Sequence, residues 1–249
     1  MTDWPLDVAA TLVCATALFA GYAVRGVAGF GSGVVATPLM AFVLPLSTIA
    51  PLVTVLGAFV SVRQALADRP LIAWRRIGEF VPGIAIGVPL GIWAFKEADP
   101  AILIRVLGLY VVGYALYSLL SSRFSRPARA LPRWSAWPIG TAGAIVATLF
   151  GGMAGPVYVT YLDGLRLDKR VFRVTTSTTL LVLNVVRSIA YVASGVFALQ
   201  DVTLVLAAAV PAALGTWAGD RLHDRMSPQA FRTGVAVLLV ASGAALLLR

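Results

Sequence analysis

Three arginines lie in or beside long apolar stretches of the chain: Arg25, Arg63 and Arg187. Arg187 falls inside the run 174–194, which contains no carboxylate that could neutralise it. A charge in apolar surroundings is costly unless it is paired or hydrogen-bonded. Because the planar guanidinium fork can bind two oxygens of an oxyanion at once, these arginines indicate anion binding.

Polar residues near Arg187 extend this pattern along the same predicted helix. Asn184 precedes Arg187 by three residues, and Thr176 and Thr179 fall on a compatible helical face. The run 175–179 could equally serve hydrogen bonding between helices. Each arginine has a structural alternative as well. Arg25 could reach an interface, Arg63 could be a loop charge, and Arg187 could pair with Asp163 or a backbone carbonyl.

Two glycine-rich segments interrupt the apolar stretches, one in each half of the chain. Residues 26–33 read G-V-A-G-F-G-S-G, and residues 151–156 read G-G-M-A-G-P. In lipid, a helix can be broken only where it lines a protected or wet cavity, and paired breaks are the best sequence pointer to a transporter's binding site. The backbone N–H groups beside Arg25 could form an anion nest. The predicted substrate-binding residues of these segments are Gly29, Gly31, Ser32, Gly33, Thr37, Gly151, Gly152 and Gly155.

The composition indicates an integral membrane protein. Apolar residues make up 59% of the 249 positions and charged residues 12%, and the mean hydropathy is +0.87. A soluble domain carries roughly 25% charged residues. The start of the chain lacks the basic region of a signal peptide, so we expect the first span to be retained. The net charge of +9 is attributed to basic loops and anionic lipid rather than to nucleic-acid binding.

Ten apolar segments divide into two sets of five, which predicts an all-α membrane protein. Each set would contain a glycine-broken hairpin that need not cross the bilayer fully, followed by three transmembrane helices of roughly 20 residues. We predict a first repeat over 1–122, a basic cytoplasmic linker over 123–135 and a second repeat over 136–249. The segments lie near 6–24, 27–44, 46–66, 79–95, 101–120, 136–150, 154–165, 174–193, 202–219 and 231–248.

The two halves match one another and are predicted to be inverted. Gly87-x-x-x-Gly91 aligns with Gly215-x-x-x-Gly219, and Arg63 with Arg187 after a two-residue gap. The small-residue pairs indicate close helix packing. Basic residues concentrate in four connections, 63–76, 123–133, 166–173 and 220–228, which the positive-inside rule places in the cytoplasm. Five segments per half then give the halves opposite orientations, with a site at their interface near mid-membrane.

The chain resembles the sulfite exporter TauE/SafE family, also called the toluene sulfonate uptake permeases. The resemblance rests on Gly29-Phe-Gly-Ser-Gly33 followed by Thr37-Pro-Leu39, on Pro45, and on the echo at residues 151–156 with the run 175–179. It implies a permease in the bacterial inner membrane for small sulfur-containing or organic anions, such as sulfite, sulfonates or sulfoacetate.

The sequence therefore predicts that the protein exports a small anion and uses neither a metal nor a cofactor. No His lies within the predicted spans, and Glu79 and Asp163 lie at span edges, so an intramembrane enzyme lacks its chemical groups. The same shortage disfavours proton coupling, which leaves export as the simpler direction. A proton- or sodium-coupled importer, an anion channel and a subunit of a larger complex stay as alternatives. Partners are the anionic substrate and the lipid bilayer, and a homodimer is allowed.

Overall fold

The computed structural model describes residues 7–123, 131–165, 167–197, 202–222 and 228–247. Within these residues the chain forms helices and no strand, which confirms the all-α prediction. Most of the predicted linker, 124–130, lies outside the described residues. Two short 3-10 helices occupy Arg69–Leu71 and Arg133–Ser135. The α-helices are α1 (Val8–Ala28), α2 (Ser32–Met40), α3 (Leu46–Ala67), α4 (Trp74–Glu97), α5 (Pro100–Arg123), α6 (Ala136–Phe150), α7 (Gly155–Asp163), α8 (Lys169–Ala193), α9 (Val202–Leu222) and α10 (Pro228–Leu247).

Six of the described helices, α1, α3, α4, α5, α8 and α9, are long and apolar enough to cross a membrane. The chain is thus a multi-pass integral membrane protein. In contrast, α2 and α7 have nine residues each and α6 has 15, below the roughly 20 that a span needs. The lengths of α2, α6 and α7 agree with the expectation that the hairpins need not cross fully, whereas α1 of the first hairpin is long enough to cross.

Local chemistry sets the helix boundaries around the first break. The Asp7 carboxylate accepts a hydrogen bond from the Ala10 amide at 2.6 Å and caps the start of α1. Gly29 ends that helix with a φ of +82°, and Gly31 precedes α2 with a φ of +100°. Both angles lie in the left-handed region that glycine adopts without a steric penalty. Pro45 then fixes the extended residue before α3.

The two small-residue pairs make close contacts between the halves. On α9, Gly215 and Gly219 lie against the α1 backbone at Phe19 and Ala23. On α4, Gly87 and Gly91 lie against Thr141 and Thr148 of α6. In both contacts, residue numbers rise together along the two helices, so the helices run parallel. The prediction that these glycines serve close helix packing is confirmed.

Two pairs of helices, one helix from each half, pack against one another in antiparallel fashion: α3 with α8, and α5 with α10. At the centre, α3 and α8 bury the largest share of their residues among the six long helices. Gly57 of α3 lies beside Asn184 of α8, whereas the Ala73 amide, just beyond α3, bonds the Thr175 hydroxyl near the start of α8. The pair α5 and α10 is also antiparallel, because Gly108 lies beside Leu247 and Val112 beside Gly243.

Described residues of the basic connections lie at one end of the bundle. Asp220 at the end of α9 contacts Arg63 near the end of α3 and Arg173 near the start of α8. Glu79 near the start of α4 contacts Arg133 before α6 at 3.8 Å. The opposite end carries Lys96, whose ammonium donates to the Ser194 carbonyl at 3.3 Å. We call the first end the basic end.

The outer surface is apolar along the long helices. Large apolar side chains are exposed on successive turns and on different sides of the bundle, as a protein surrounded by hydrocarbon requires. Examples are Phe59, Leu66, Trp93, Leu109, Ile189 and Leu206.

Candidate functional site

Arg25 lies in the last turn of α1 and is almost completely buried, with 3% of its surface exposed. Its Nη1 donates to the Ser32 hydroxyl at the start of α2 at 3.3 Å, and its Nη2 donates to the Ser61 hydroxyl of α3. Its Nε atom is buried without a hydrogen-bond partner. The structure therefore places this guanidinium inside the protein, at the mouth of the first break, rather than at an interface.

Arg187 is fully buried in the middle of α8. Its Nη1 donates to the Asn184 side-chain oxygen at 3.3 Å, and its Nη2 donates to the Tyr191 hydroxyl at 3.0 Å. The guanidinium carbon also lies 5.5 Å from the centre of the Tyr191 ring, a cation–π contact. Tyr191 in turn donates to the Thr148 carbonyl of α6 at 2.6 Å. This arrangement fixes Arg187 in place but leaves its charge uncompensated.

Gly57 of α3 makes the space in which the two arginines approach Asn184. A Cβ atom at this glycine would lie 2.8 Å from Nδ2 of Asn184 and 3.3 Å from Nη1 of Arg25. Asn184 therefore stands between Arg25 and Arg187, with its nitrogen toward the first and its oxygen bonded to the second. The three side chains form one positively charged, mainly donor-lined cluster where α1, α3 and α8 meet, which we call the arginine cluster.

No carboxylate balances this cluster within the described part of the chain. The ion pairs found there join Arg63 and Arg173 to Asp220, and Arg76 and Arg133 to Glu79. Asp163, considered above as a partner of Arg187, is exposed at the end of α7. Inserting an arginine at the centre of a span costs about 3 kcal/mol of free energy on insertion scales. An anion about 4 Å from a guanidinium would gain roughly 4 kcal/mol at an effective dielectric of about 20.

The two glycine-rich breaks touch one another beside the arginine cluster. Gly33 lies so close to the carbonyl of Gly151 that a Cβ atom would overlap it, and the Thr37 hydroxyl donates to the same oxygen at 3.3 Å. The ring of Phe30 covers Gly155, where a Cβ atom would lie 2.6 Å from the ring. The two breaks therefore pack directly against one another. Gly152 lies beside Gly33 and Val53 in the same contact.

Arg63 does not join the arginine cluster. Its side chain is 61% exposed and pairs with Asp220, which also receives a 2.6 Å hydrogen bond from Arg173. Arg173 additionally donates to the Gly26 carbonyl at 3.1 Å. We call the side chains of Arg63, Arg173 and Asp220 the ion-pair cluster. The two arginines that align in sequence thus differ in position, because Arg63 is an exposed charge at the basic end and Arg187 is buried within α8.

In the hydroxyl run 175–179 on α8, some hydroxyls donate hydrogen bonds within the protein and one is buried without a partner. The Thr179 hydroxyl bonds the Thr175 carbonyl of its own helix at 2.8 Å, and Ser177 donates to the Gly29 carbonyl at 3.1 Å. The Thr176 hydroxyl is buried without a partner. Hydrogen bonding between elements therefore accounts for Ser177, Thr179 is satisfied within its own helix, and the Thr176 hydroxyl has no partner.

Sequence reasoning missed four residues that shape the arginine cluster: Gly57, Ser61, Gln64 and Tyr191. Gly57, Ser61 and Gln64 follow one another at helical spacing, and all three are buried in an otherwise apolar helix. That spacing of small and polar residues could have identified this face of α3 from the sequence. Tyr191, one turn beyond Arg187, could have been found in the same way.

A bundle of apolar helices, with two broken hairpins that meet beside buried arginines, defines a membrane transporter. The chain belongs to the Sulfite exporter TauE/SafE family, which matches residues 13–246. It is also similar to the probable inner membrane transporter protein TsaS of Comamonas testosteroni, with 28% identity over 176 residues, which cover 70% of this chain and 72% of that protein. No solved structure matches the chain.

Proposed function

We propose that this transporter exports small oxyanions, with sulfite and organic sulfonates as the leading candidates, across a bacterial inner membrane. The observation that carries the proposal is the arginine cluster, in which two buried guanidiniums lack a carboxylate partner. Both keep an unpartnered Nε donor. The family name and the inner-membrane relative point to the same substrate class and membrane.

We further propose that the halves are inverted repeats that work by alternating access. Antiparallel packing of α3 with α8 and of α5 with α10 supports this symmetry, and so does the meeting of the two breaks. Alternating access requires one end of the path to be closed while the other is open. In this conformation the ion-pair cluster joins α3, α8 and α9 at the basic end, and we assign it to the closed gate.

Export is the direction that the charges favour. Moving one negative charge outward, down an inside-negative potential, is favourable by about 2.3 kcal/mol per 100 mV. Uptake would need coupling to protons or sodium, usually through a buried carboxylate or histidine. Among the described residues, the buried polar set contains neither Asp, Glu nor His.

Flux in proteoliposomes tests this proposal. We would load vesicles with sulfite or a sulfonate, impose a potassium-diffusion potential without a proton or sodium gradient, and measure efflux. Efflux that saturates with substrate and accelerates with an outside-positive potential is expected. Strict dependence on a proton or sodium gradient would indicate a coupled importer, and flux that never saturates would indicate a channel.

A further inference from the structure

Gln64 carries a buried amide for which the fold supplies no partner. Only 8% of its surface is exposed, and neither Nε2 nor Oε1 forms a hydrogen bond. A buried polar group left unsatisfied costs about 1–3 kcal/mol. Native proteins rarely keep such groups without a ligand, a water or a functional reason. An unmet donor and an unmet acceptor on one side chain therefore require an explanation.

The position of Gln64 connects it to the arginine cluster. It shares a face of α3 with Gly57 and Ser61, and Ser61 accepts from Arg25. Long helical side chains lie over the turn that precedes their own Cα atom, which directs this amide toward Ser61 and Arg25. The next residue back, Arg63, already belongs to the ion-pair cluster. Gln64 thus lies next to the basic end, one turn beyond Ser61 on the buried face of α3.

The chemistry of the amide differs from that of its neighbours. Arginine only donates hydrogen bonds, whereas glutamine both donates and accepts. A sulfonate without a hydrogen-bond donor could accept from Nε of Arg25 and from Nε2 of Gln64, but it would leave Oε1 unsatisfied. An anion with its own O–H or N–H group would satisfy both ends of the amide.

We propose that Gln64 selects, among the anions that this transporter carries, those that bear a hydrogen-bond donor. Hydroxylated or amino-substituted sulfonates and monoprotonated oxyanions belong to this class. The inference rests on the proposed anion transport and deepens it, because it assigns a basis for choosing among anions of equal charge.

Transport of two matched anions tests the inference. Ethanesulfonate and 2-hydroxyethanesulfonate have the same charge and differ by one hydroxyl. In proteoliposomes, we expect the wild-type protein to prefer the hydroxylated anion in kcat/KM roughly threefold to tenfold, the range of one net hydrogen bond. In Gln64→Met the ratio should fall to about one. Leu66→Met, at an exposed position of the same helix, should keep the wild-type ratio.

The outcomes separate the inference from the proposed function. If the wild-type protein moves neither sulfonate nor sulfite, the proposed function itself fails. If it moves both sulfonates with equal kcat/KM, transport stands and the selective role of Gln64 is overturned. Selectivity that persists in Gln64→Met overturns it as well. Should that variant fail to fold, Gln64→Asn, which keeps the amide but shortens its reach, should lower the ratio.

Discussion

Arg187 is the largest side chain that the structure buries completely among the described residues. Its hydrogen bonds go to an amide oxygen and a phenol, and both leave its charge unbalanced. A purely structural arginine in a membrane is normally paired with a carboxylate or with backbone carbonyls. The partners seen here hold the guanidinium in a defined geometry, which suits a site that an anion enters and leaves.

Replacing Arg187 tests this reading at the level of one side chain. We expect Arg187→Gln to weaken anion binding roughly tenfold to hundredfold, because one hydrogen bond to a charged group contributes about 1.5–3 kcal/mol. Arg187→Lys should recover only part of the affinity, since the two-pronged fork is lost. Binding would be measured by substrate protection against thermal unfolding in detergent.

Arg105→Gln is the matched control for this experiment, because Arg105 is exposed on α5. Its affinity should equal that of the wild-type protein. Unchanged affinity in Arg187→Gln, together with a reduced yield of folded protein, would assign Arg187 a structural role instead.

Gly57 offers a second test, because it holds the space between Arg25 and Asn184. A methyl group in Gly57→Ala would press on the Asn184 amide at 2.8 Å and displace the partner of Arg187. We expect a several-fold higher KM with the protein still folded. Gly113→Ala, where nothing lies within 4 Å of the added carbon, should leave KM unchanged and stabilise the helix by about 0.5–1 kcal/mol.

At this scale, the sequence indicated that Asn184 and Arg187 lie on one face of a helix, and the structure shows them hydrogen-bonded. Charge in an apolar run and helical spacing are local signals, and both survive folding. The ion pair of Arg63 was not predictable in this way, because its partner, Asp220, is 157 residues away in the chain. The same holds for Gly57, whose role exists only through its contact with α8.

The two broken hairpins decide the geometry at the scale of elements. Gly33 and Gly151 meet backbone to backbone, so the breaks position one another as well as the arginine cluster. Glycine runs and their recurrence in both halves predicted these elements from sequence. The contact that joins them could not be read from either run alone, because it depends on how both hairpins pack against α3.

Gly33→Ala probes the contact between the breaks. The added Cβ would overlap the Gly151 carbonyl, and since that atom belongs to the backbone, the hairpins would have to separate. We expect transport to be lost and the melting temperature in detergent to fall by several degrees. Gly78→Ala, at a helical glycine with nothing within 4 Å, should behave like the wild-type protein. A Gly33→Ala protein with normal transport and stability would show that the breaks need not touch.

At the scale of the whole molecule, Asp220 contacts charges from both halves, with Arg63 in the first and Arg173 in the second. If the ion-pair cluster is the closed gate, Asp220→Asn should open the basic end more often. Ser177, buried just beneath the cluster, is a suitable reporter. The chain has one cysteine, so Cys14→Ser with Ser177→Cys gives a single labelling site.

We expect a membrane-impermeant thiol reagent, added at the basic end, to label Ser177→Cys several times faster in the Asp220→Asn background. Glu97→Gln, at an exposed position near the opposite end, serves as the control and should not change the rate. Equal labelling rates in all three proteins would remove the ion-pair cluster from the gate.

The pairing of α1 with α9 and of α4 with α6 also bears on how the protein is made. The two helices of each pair come from different halves. The glycines that let them touch leave grooves on the helix surface, and the helix of the other half fills these grooves. While the ribosome is still synthesising residues beyond 123, α1 and α4 therefore lack the helices that contact them most closely. Neither 1–123 nor 124–249 should be stable when expressed alone. Co-expressed as two chains, they should protect one another from membrane proteases and restore transport together.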